Sequence, residues 1–209
     1  RYFSSAASDV YKRQIMYSSG TTGVPKCIVH GHGGTLLQHL KEHQLHTNIS
    51  LGDRIFYFTT CSWMMWNWLV SALATQATVM LYDGSPSYPD DTVLWRFAND
   101  EQFTLFGTSA KYIETLMKNN VKPRANFKLK NLKTICSTGS PLSPESYDFI
   151  YKNIGPVHLA SISGGTDIVS CFVLGIPTLP VRRGEIQGAG LGMAVEIWND
   201  TGKVKRGRR

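Results

Sequence analysis

Short apolar runs alternate with helical patterns along most of the chain, and this alternation restricts the fold more than any other feature of the sequence. The strand-like runs lie at 27–30, 53–60, 77–83, 103–109, 132–140, 157–163 and 168–174. The segments with helical spacing lie at 33–49, 67–75, 89–101, 109–120 and 143–154. Strands separated by helices of this length predict an α/β fold whose mostly parallel sheet is covered by helices on both faces.

Two of the predicted helices carry signals at their start. Ser143 precedes Pro144, which is the usual order of an N-cap and the first helical residue. In the segment 89–101 the residues Asp90 and Asp91 are expected in the first turn, where the helix dipole favours acids.

The basic charge of the chain is concentrated at its two ends. The formal net charge is +7, yet residues 15–202 contain 14 basic and 14 acidic residues. We therefore expect neither a nucleic-acid nor a membrane partner. Residues 1–14 show no period and are expected to be a non-native or disordered leader, residues 15–202 the domain, and residues 203–209 a disordered basic tail.

The four cysteines, Cys27, Cys61, Cys136 and Cys171, form no CxxC pair, which argues against a zinc knuckle or a redox pair. We expect free thiols, mostly buried, in a reducing compartment. The sequence shows no signal peptide and no apolar run of 18 residues, so a soluble cytoplasmic protein is expected.

The stretch YSSGTTGVPK, at 17–26, has the composition of a phosphate-binding loop. Gly20 and Gly23 allow sharp turns that expose consecutive N–H groups, the hydroxyls add donors, and Lys26 adds a positive charge. The Walker pattern fails, because Cys27 stands where it requires Ser or Thr. On composition alone, a flexible turn between two elements remains the alternative.

Two further turns of small residues follow predicted strands, at 137–141 and 161–167. Ligands of parallel sheets bind at the carboxyl ends of the strands. We therefore expect these two turns to line one crevice, with the loop at 17–26 folding over it.

These three stretches, and a fourth at 184–203, resemble segments of the adenylate-forming enzymes, the superfamily that includes the acyl-CoA synthetases. The loop resembles their phosphate signature, 137–145 their adenine-side turn, 161–168 the motif that ends in Thr-Glu, and 184–203 the strand-rich end of their large domain. The resemblance implies that the chain is a partial adenylating domain of that class, which binds ATP or AMP, Mg²⁺ and coenzyme A.

The resemblance also implies roles for individual residues. Thr166 would contact the α-phosphate, Asp167 would bind Mg²⁺, and both would be catalytic together with Lys26. Asp167 is one methylene shorter than the usual glutamate, so its metal contact would be longer or pass through water. The nucleotide-binding set would be Ser18, Ser19, Gly20, Thr21, Thr22, Gly23, Lys26, Gly139, Ser140, Pro141, Ser163, Gly164, Gly165 and Thr166.

Within the superfamily, the segments 27–43 and 59–74 are most similar to the acetoacetate–CoA ligases. The small-molecule substrates would then be ATP, acetoacetate and CoA. Trp63, Met64 and Met65 would wall the acyl pocket, although plain core packing at a helix start explains such residues equally well. Two alternatives stay open: a ligase for acetate or propionate, and a non-catalytic module that binds nucleotides or nucleic acid.

Several histidines lie outside these motifs. His39, His43 and His46 share one face of the predicted helix, but no carboxylate or cysteine completes a metal set, so a solvated polar face is expected. A position of His30 or His32 near the nucleotide remains open.

Two parts of the superfamily's machinery are absent from the 209 residues. These are the Y-x-T-G-D segment, whose aspartate binds the ribose, and the small domain with the lysine needed for adenylation. We therefore expect a fragment with no ligase activity by itself, and its oligomeric state is left open.

Overall fold

The computed structural model describes residues 12–18 and 23–202, with side chains from residue 15 onward. Its strands are β1 (Lys12–Ser18), β2 (Lys26–Gly31), β3 (Arg54–Tyr57), β4 (Thr78–Met80), β5 (Leu105–Ser109), β6 (Thr134–Thr138), β7 (His158–Ser161), β8 (Ser163–Gly165), β9 (Ser170–Leu174) and β10 (Gly188–Ala189). Strand β1 begins three residues before the predicted start of the domain.

The helices lie between the strands, as the alternation predicts. They are α1 (His32–Lys41), α2 (Met64–Ser71), α3 (Val93–Asp100), α4 (Ala110–Lys118), α5 (Pro123–Asn126) and α6 (Pro144–Asn153). A π-helix, Glu42–His46, continues α1, and a 3₁₀ helix, Ala72–Thr75, continues α2. No helix within the described residues is long and apolar enough to cross a membrane.

The strands form three sheets. The central sheet has five parallel strands in the order β4-β3-β5-β6-β7, which confirms the predicted fold class. Strands β10, β9 and β8 form an antiparallel sheet near the C-terminal end, as expected. Strands β1 and β2 pair as an antiparallel hairpin, and residues 19–25 lie between them in the chain.

Neighbouring residues of each strand point to opposite faces of the sheet, and both faces of the central sheet are packed against apolar side chains. Phe56 packs on one side with Trp95 and Phe106, whose rings stack at 4.4 Å between centroids. Tyr57 packs on the other side, where the ring of Trp68 meets it edge-on at 5.9 Å. The prediction that helices cover both faces of the sheet is therefore confirmed.

The helix starts follow the local signals at one of the two predicted sites. The Ser143 hydroxyl accepts a hydrogen bond from Ser146 N, so the predicted cap of α6 is confirmed. The prediction that Asp90 and Asp91 lie in the first turn of the 89–101 helix is wrong, because α3 begins only at Val93. Asp90 instead accepts bonds from the backbone N–H and the hydroxyl of Thr92 just before the helix, and so restrains the turn that leads into α3.

The helical segment predicted at 33–49 buries the histidine face that was expected to face solvent. His39, His43 and His46 are buried rather than solvated, while Leu37 and Leu45 are 72% and 58% exposed. The reason is a set of carbonyls that this helix face meets. His39 donates to Val169 O at 2.8 Å, and His46 donates to Gly175 O at 2.8 Å.

One close contact fixes the packing of the central sheet. A Cβ at Gly107 would lie 2.0 Å from Cδ2 of Tyr57, so the Tyr57 ring occupies the space that any side chain at 107 would need. The Tyr57 hydroxyl donates to Thr108 O at 3.1 Å, which holds the ring over the strand.

We predict that Gly107→Ala lowers the free energy of unfolding by about 1–3 kcal/mol or more, because overpacking displaces a buried ring. Gly33→Ala is the matched control: a Cβ there has no heavy atom within 4 Å, so its effect stays within about 1 kcal/mol. Urea unfolding measures both changes. Equal stability of the two variants would contradict the contact.

Candidate active site

A cleft with a volume of about 400 Å³ opens at the carboxyl ends of β6 and β7. Three groups of predicted residues line it: the start of α2, the turn after β6, and the turn after β7. These residues are Trp63, Met64, Met65, Gly139, Ser140, Pro141, Ser163, Gly164, Gly165 and Thr166. The expectation that the two turns share one crevice is therefore confirmed.

The turn after β6 is shaped by Gly139, whose φ of +92° is readily adopted only by glycine. This turn is joined to the next one, because the Thr138 hydroxyl donates to Ile162 O at 2.9 Å. The two walls of the cleft are thus connected by a hydrogen bond as well as by the strand pairing of Ser137 with Ser161.

The segment predicted as a turn at 161–167 is in the structure strand β8 (Ser163–Gly165) followed by a turn, because Gly164 allows a close approach of two backbones. A Cβ at Gly164 would lie 2.2 Å from Ser170 O, so strands β8 and β9 could not pair in this way with a side chain there. Residues Thr166–Val169 then form the turn between these strands, closed by a bond from Val169 N to Thr166 O at 3.2 Å. Val169 has a φ of +48°, a strained value for a β-branched residue.

Asp167 lies on this turn, yet it is exposed and is not among the residues that line the cleft. Thr166 beside it is half-buried and does line the cleft. Within the described part of the chain, no three His, Cys, Asp or Glu side chains converge on a common metal position. Any metal at this site would therefore need ligands beyond the side chain of Asp167.

The hairpin of β1 and β2 carries the stretch 17–26, here named the phosphate-type loop, and this hairpin contacts the turn Thr166–Val169. His30 Nε2 donates to Thr166 O at 3.0 Å, so His30 touches the predicted site, whereas His32 is exposed at the start of α1. Ser18 and Lys26 face each other at the open end of the hairpin, and Lys26 is exposed.

The structure describes only part of the predicted loop. Gly23 is exposed, and Ser19, Gly20, Thr21 and Thr22 lie outside the described residues. The expectation that the loop covers the crevice is therefore a prediction still.

The three residues predicted to wall the acyl pocket, Trp63, Met64 and Met65, all line the cleft. Met65 is buried in the core, while Trp63 and Met64 are half-buried and reach the cleft. The Trp63 ring meets the Tyr57 ring edge-on at 6.0 Å, and its Cζ2 would lie 3.9 Å from a Cβ at Gly139. Trp63 therefore stands between the core and the turn after β6.

Thr138, Ser161 and Ile162 also line the cleft, and they lie in the two segments, 137–141 and 161–167, that were expected to line it, although no binding role was assigned to them. Sequence reasoning missed only two of the lining residues, Cys171 and Ile186. Neither follows a predicted strand, so the rule about carboxyl ends gives no signal for them.

The expected burial of the cysteines is right for two of them. Cys136 and Cys171 are buried, but Cys27 and Cys61 are exposed, because they lie on the hairpin and in the loop before α2. Burial raises the pKa of the Cys136 thiol to about 12. Burial, and then the nearby Glu42 carboxylate, raises the pKa of the Cys171 thiol well above its ordinary value.

Comparison with known families gives a match over most of the chain. The family described as "AMP-binding enzyme" matches residues 12–208. An acetoacetyl-coenzyme A synthetase from Rhizobium meliloti (strain 1021) is 63% identical over 196 residues, which are 93% of this chain and 30% of that protein. A malonamoyl-CoA synthetase from Penicillium aethiopicum is 49% identical over 203 residues, covering 90% of this chain and 28% of that protein.

A solved structure shows the same architecture. The acetoacetyl-CoA synthetase from Streptomyces lividans superposes with a TM-score of 0.87 at 43% identity, covering 94% of this chain and 31% of that one. The chain thus spans about 30% of the length of the relatives it matches.

The reactivity of the four thiols tests their burial in solution. We predict that iodoacetamide at pH 8 modifies Cys27 and Cys61 in the folded protein and leaves Cys136 and Cys171 unmodified, since a thiol reacts as its thiolate and must be accessible. Peptide mass spectrometry measures this, with all four thiols reacting in urea as the control. Rapid modification of Cys136 in the folded chain would contradict its burial.

Proposed function

This chain belongs to the family of AMP-binding enzymes, and from that premise we propose that it is the part of a ligase that activates acetoacetate with ATP and transfers it to CoA. The observation that carries the proposal is the cleft itself, in which three separate segments converge at the carboxyl edge of a parallel sheet. The names of the relatives from Rhizobium and Streptomyces supply the substrate.

The proposed reaction has two steps. A carboxylate oxygen of acetoacetate forms a bond to the α-phosphorus of ATP, and the bond to the β-phosphate breaks, releasing pyrophosphate. The CoA sulfur then bonds to the acyl carbon, its proton passes to solvent, and AMP leaves. Little covalent chemistry falls to the protein, which must align the groups and offset the charge that develops.

We assign the residues of the cleft accordingly. Gly139, Ser140 and Pro141 would face the adenine, and Thr166 would contact the α-phosphate. The loop, with Lys26 at its rim, would hold the pyrophosphate as it leaves. This assignment is supported by the half-buried position of Thr166 and by the contact between His30 and the Thr166 carbonyl, which brings the loop's hairpin to the same turn.

The Mg²⁺ that the family uses would be held by Asp167. A single exposed carboxylate fits this ion, because Mg²⁺ in nucleotide sites takes one or two carboxylates, with phosphate oxygens and water as its other ligands. When bound, it would offset the negative charge of the phosphates.

The acyl pocket would lie beside Trp63 and Met64, whose bulk favours a short acid. The Penicillium relative is named for malonamate, in which an amide replaces the methyl ketone of acetoacetate, so acids with a carbonyl at the third carbon are the class to compare with acetate and propionate. Acetoacetate, malonamate, acetate and propionate, assayed one by one on the full-length enzyme that contains this chain, show which acid is the substrate.

We predict that Thr166→Ala weakens the binding of both ATP and AMP to the purified chain about tenfold or more, the usual effect of removing a hydrogen bond to a charged group. Lys26→Ala should weaken ATP binding and leave AMP binding unchanged, because AMP lacks the pyrophosphate. Isothermal titration calorimetry measures both.

Thr178→Ala, an exposed threonine outside the cleft, is the control. Loss of AMP affinity in Lys26→Ala would show that the assignment of the loop is wrong, and binding that depends on residues 203–209 instead of Lys26 would favour a nucleic-acid-binding module.

We also predict that the 209-residue chain by itself releases no pyrophosphate from ATP, Mg²⁺ and acetoacetate. It lacks the Y-x-T-G-D segment and the lysine that the family uses for adenylation. A coupled pyrophosphate assay measures this, with the full-length enzyme as the positive control. Release above background would overturn the prediction.

A further inference from the structure

The helical segment that follows the phosphate-type loop buries its polar side. Within α1 and the π-helix, His39 and Glu42 have no exposed surface, while Leu37 points outward and is 72% exposed. Burying a carboxylate is costly unless its oxygens are hydrogen-bonded. This arrangement therefore needs a reason, which lies in what Glu42 contacts.

Glu42 accepts hydrogen bonds from two neighbouring elements. Its Oε1 accepts from Ser170 Oγ at 2.5 Å and from Cys171 N at 2.9 Å, and its Oε2 accepts from Trp68 Nε1 at 3.0 Å. Every partner here is a donor, and a carboxylate is the side-chain group that only accepts. Glu42 thus holds the first two residues of β9 against α2.

Those residues come directly after the turn that carries Thr166. His39 Nε2 donates to Val169 O at 2.8 Å, so Val169, Ser170 and Cys171 are all bonded to this one helical segment. The strained φ of Val169 belongs to the same stretch. Such strain persists where surrounding contacts over-determine the backbone, and it occurs preferentially at functional turns.

We propose that Glu42, acting with His39, is a positioning residue for the turn Thr166–Val169, and that it sets where Thr166 meets the α-phosphate. This role rests on the function proposed above. The two residues fix the end of the turn, and His30 fixes its beginning at Thr166 O. All three belong to the segment that follows the phosphate-type loop, so this segment determines how strand β2 and the turn Thr166–Val169 face each other.

The test is Glu42→Gln, which keeps the size of the side chain but turns an NH₂ group towards one set of donors. We expect amide hydrogen exchange to become about tenfold faster or more in a peptide covering 163–171, and to stay unchanged in a peptide covering β5. We also expect AMP affinity to fall about tenfold, the scale of one hydrogen bond to a charged group. Adenosine affinity should stay unchanged, because adenosine has no phosphate.

Two further variants complete the experiment. Glu114→Gln is the matched control: it lies on α4, its carboxylate pairs only with Lys111 at 3.9 Å among the described contacts, and it should change neither readout. Ser170→Ala removes a single donor to Glu42, and should give a smaller effect in the same direction. It serves if Glu42→Gln fails to fold.

The outcomes separate the two proposals. Unchanged exchange at 163–171 would overturn the positioning role, and so would equal losses of AMP and adenosine affinity, which indicate a general structural effect. If the wild-type chain binds no AMP, the proposed function fails. The exchange measurement then still decides whether Glu42 holds the turn.

Discussion

One buried carboxylate connects parts of the molecule that are far apart in sequence. Glu42 accepts bonds from Trp68 on α2 and from Ser170 and Cys171 on β9, more than 120 residues further along the chain. A hydrogen bond to a charged group typically contributes about 1.5–3 kcal/mol to stability. The relative placement of α2, β9 and the turn before β9 therefore depends on this group in addition to the apolar core.

The local elements were predictable, since their signals are local. The cap of α6 needs only Ser143 and Pro144, and apolar runs such as 103–109 identify their own strands. The buried side of the helix at 33–49 was not predictable in this way. His39 and His46 are buried because they form hydrogen bonds with the carbonyls of Val169 and Gly175. A local sequence pattern cannot indicate partners about 130 residues away.

The candidate site was predictable to the extent that it follows from the geometry of a parallel sheet. The turns after β6 and β7 had to meet, because their strands are adjacent and point the same way. Cys171 and Ile186 reach the cleft from elements whose order in space the sequence does not reveal. The strain at Val169 is likewise a product of tertiary contacts, because a valine by itself would avoid that conformation.

The contact of Tyr57 with Gly107 has a consequence for how cleft size can evolve. Tyr57 supports Trp63 through their edge-on rings, and the position of Tyr57 depends on the missing side chain at 107. Residues 57 and 107 are thus epistatic: a larger residue at one is tolerated only with a smaller residue at the other. A library that randomises only the cleft lining would leave this pair untouched, although Tyr57 supports Trp63 in the wall of the cleft.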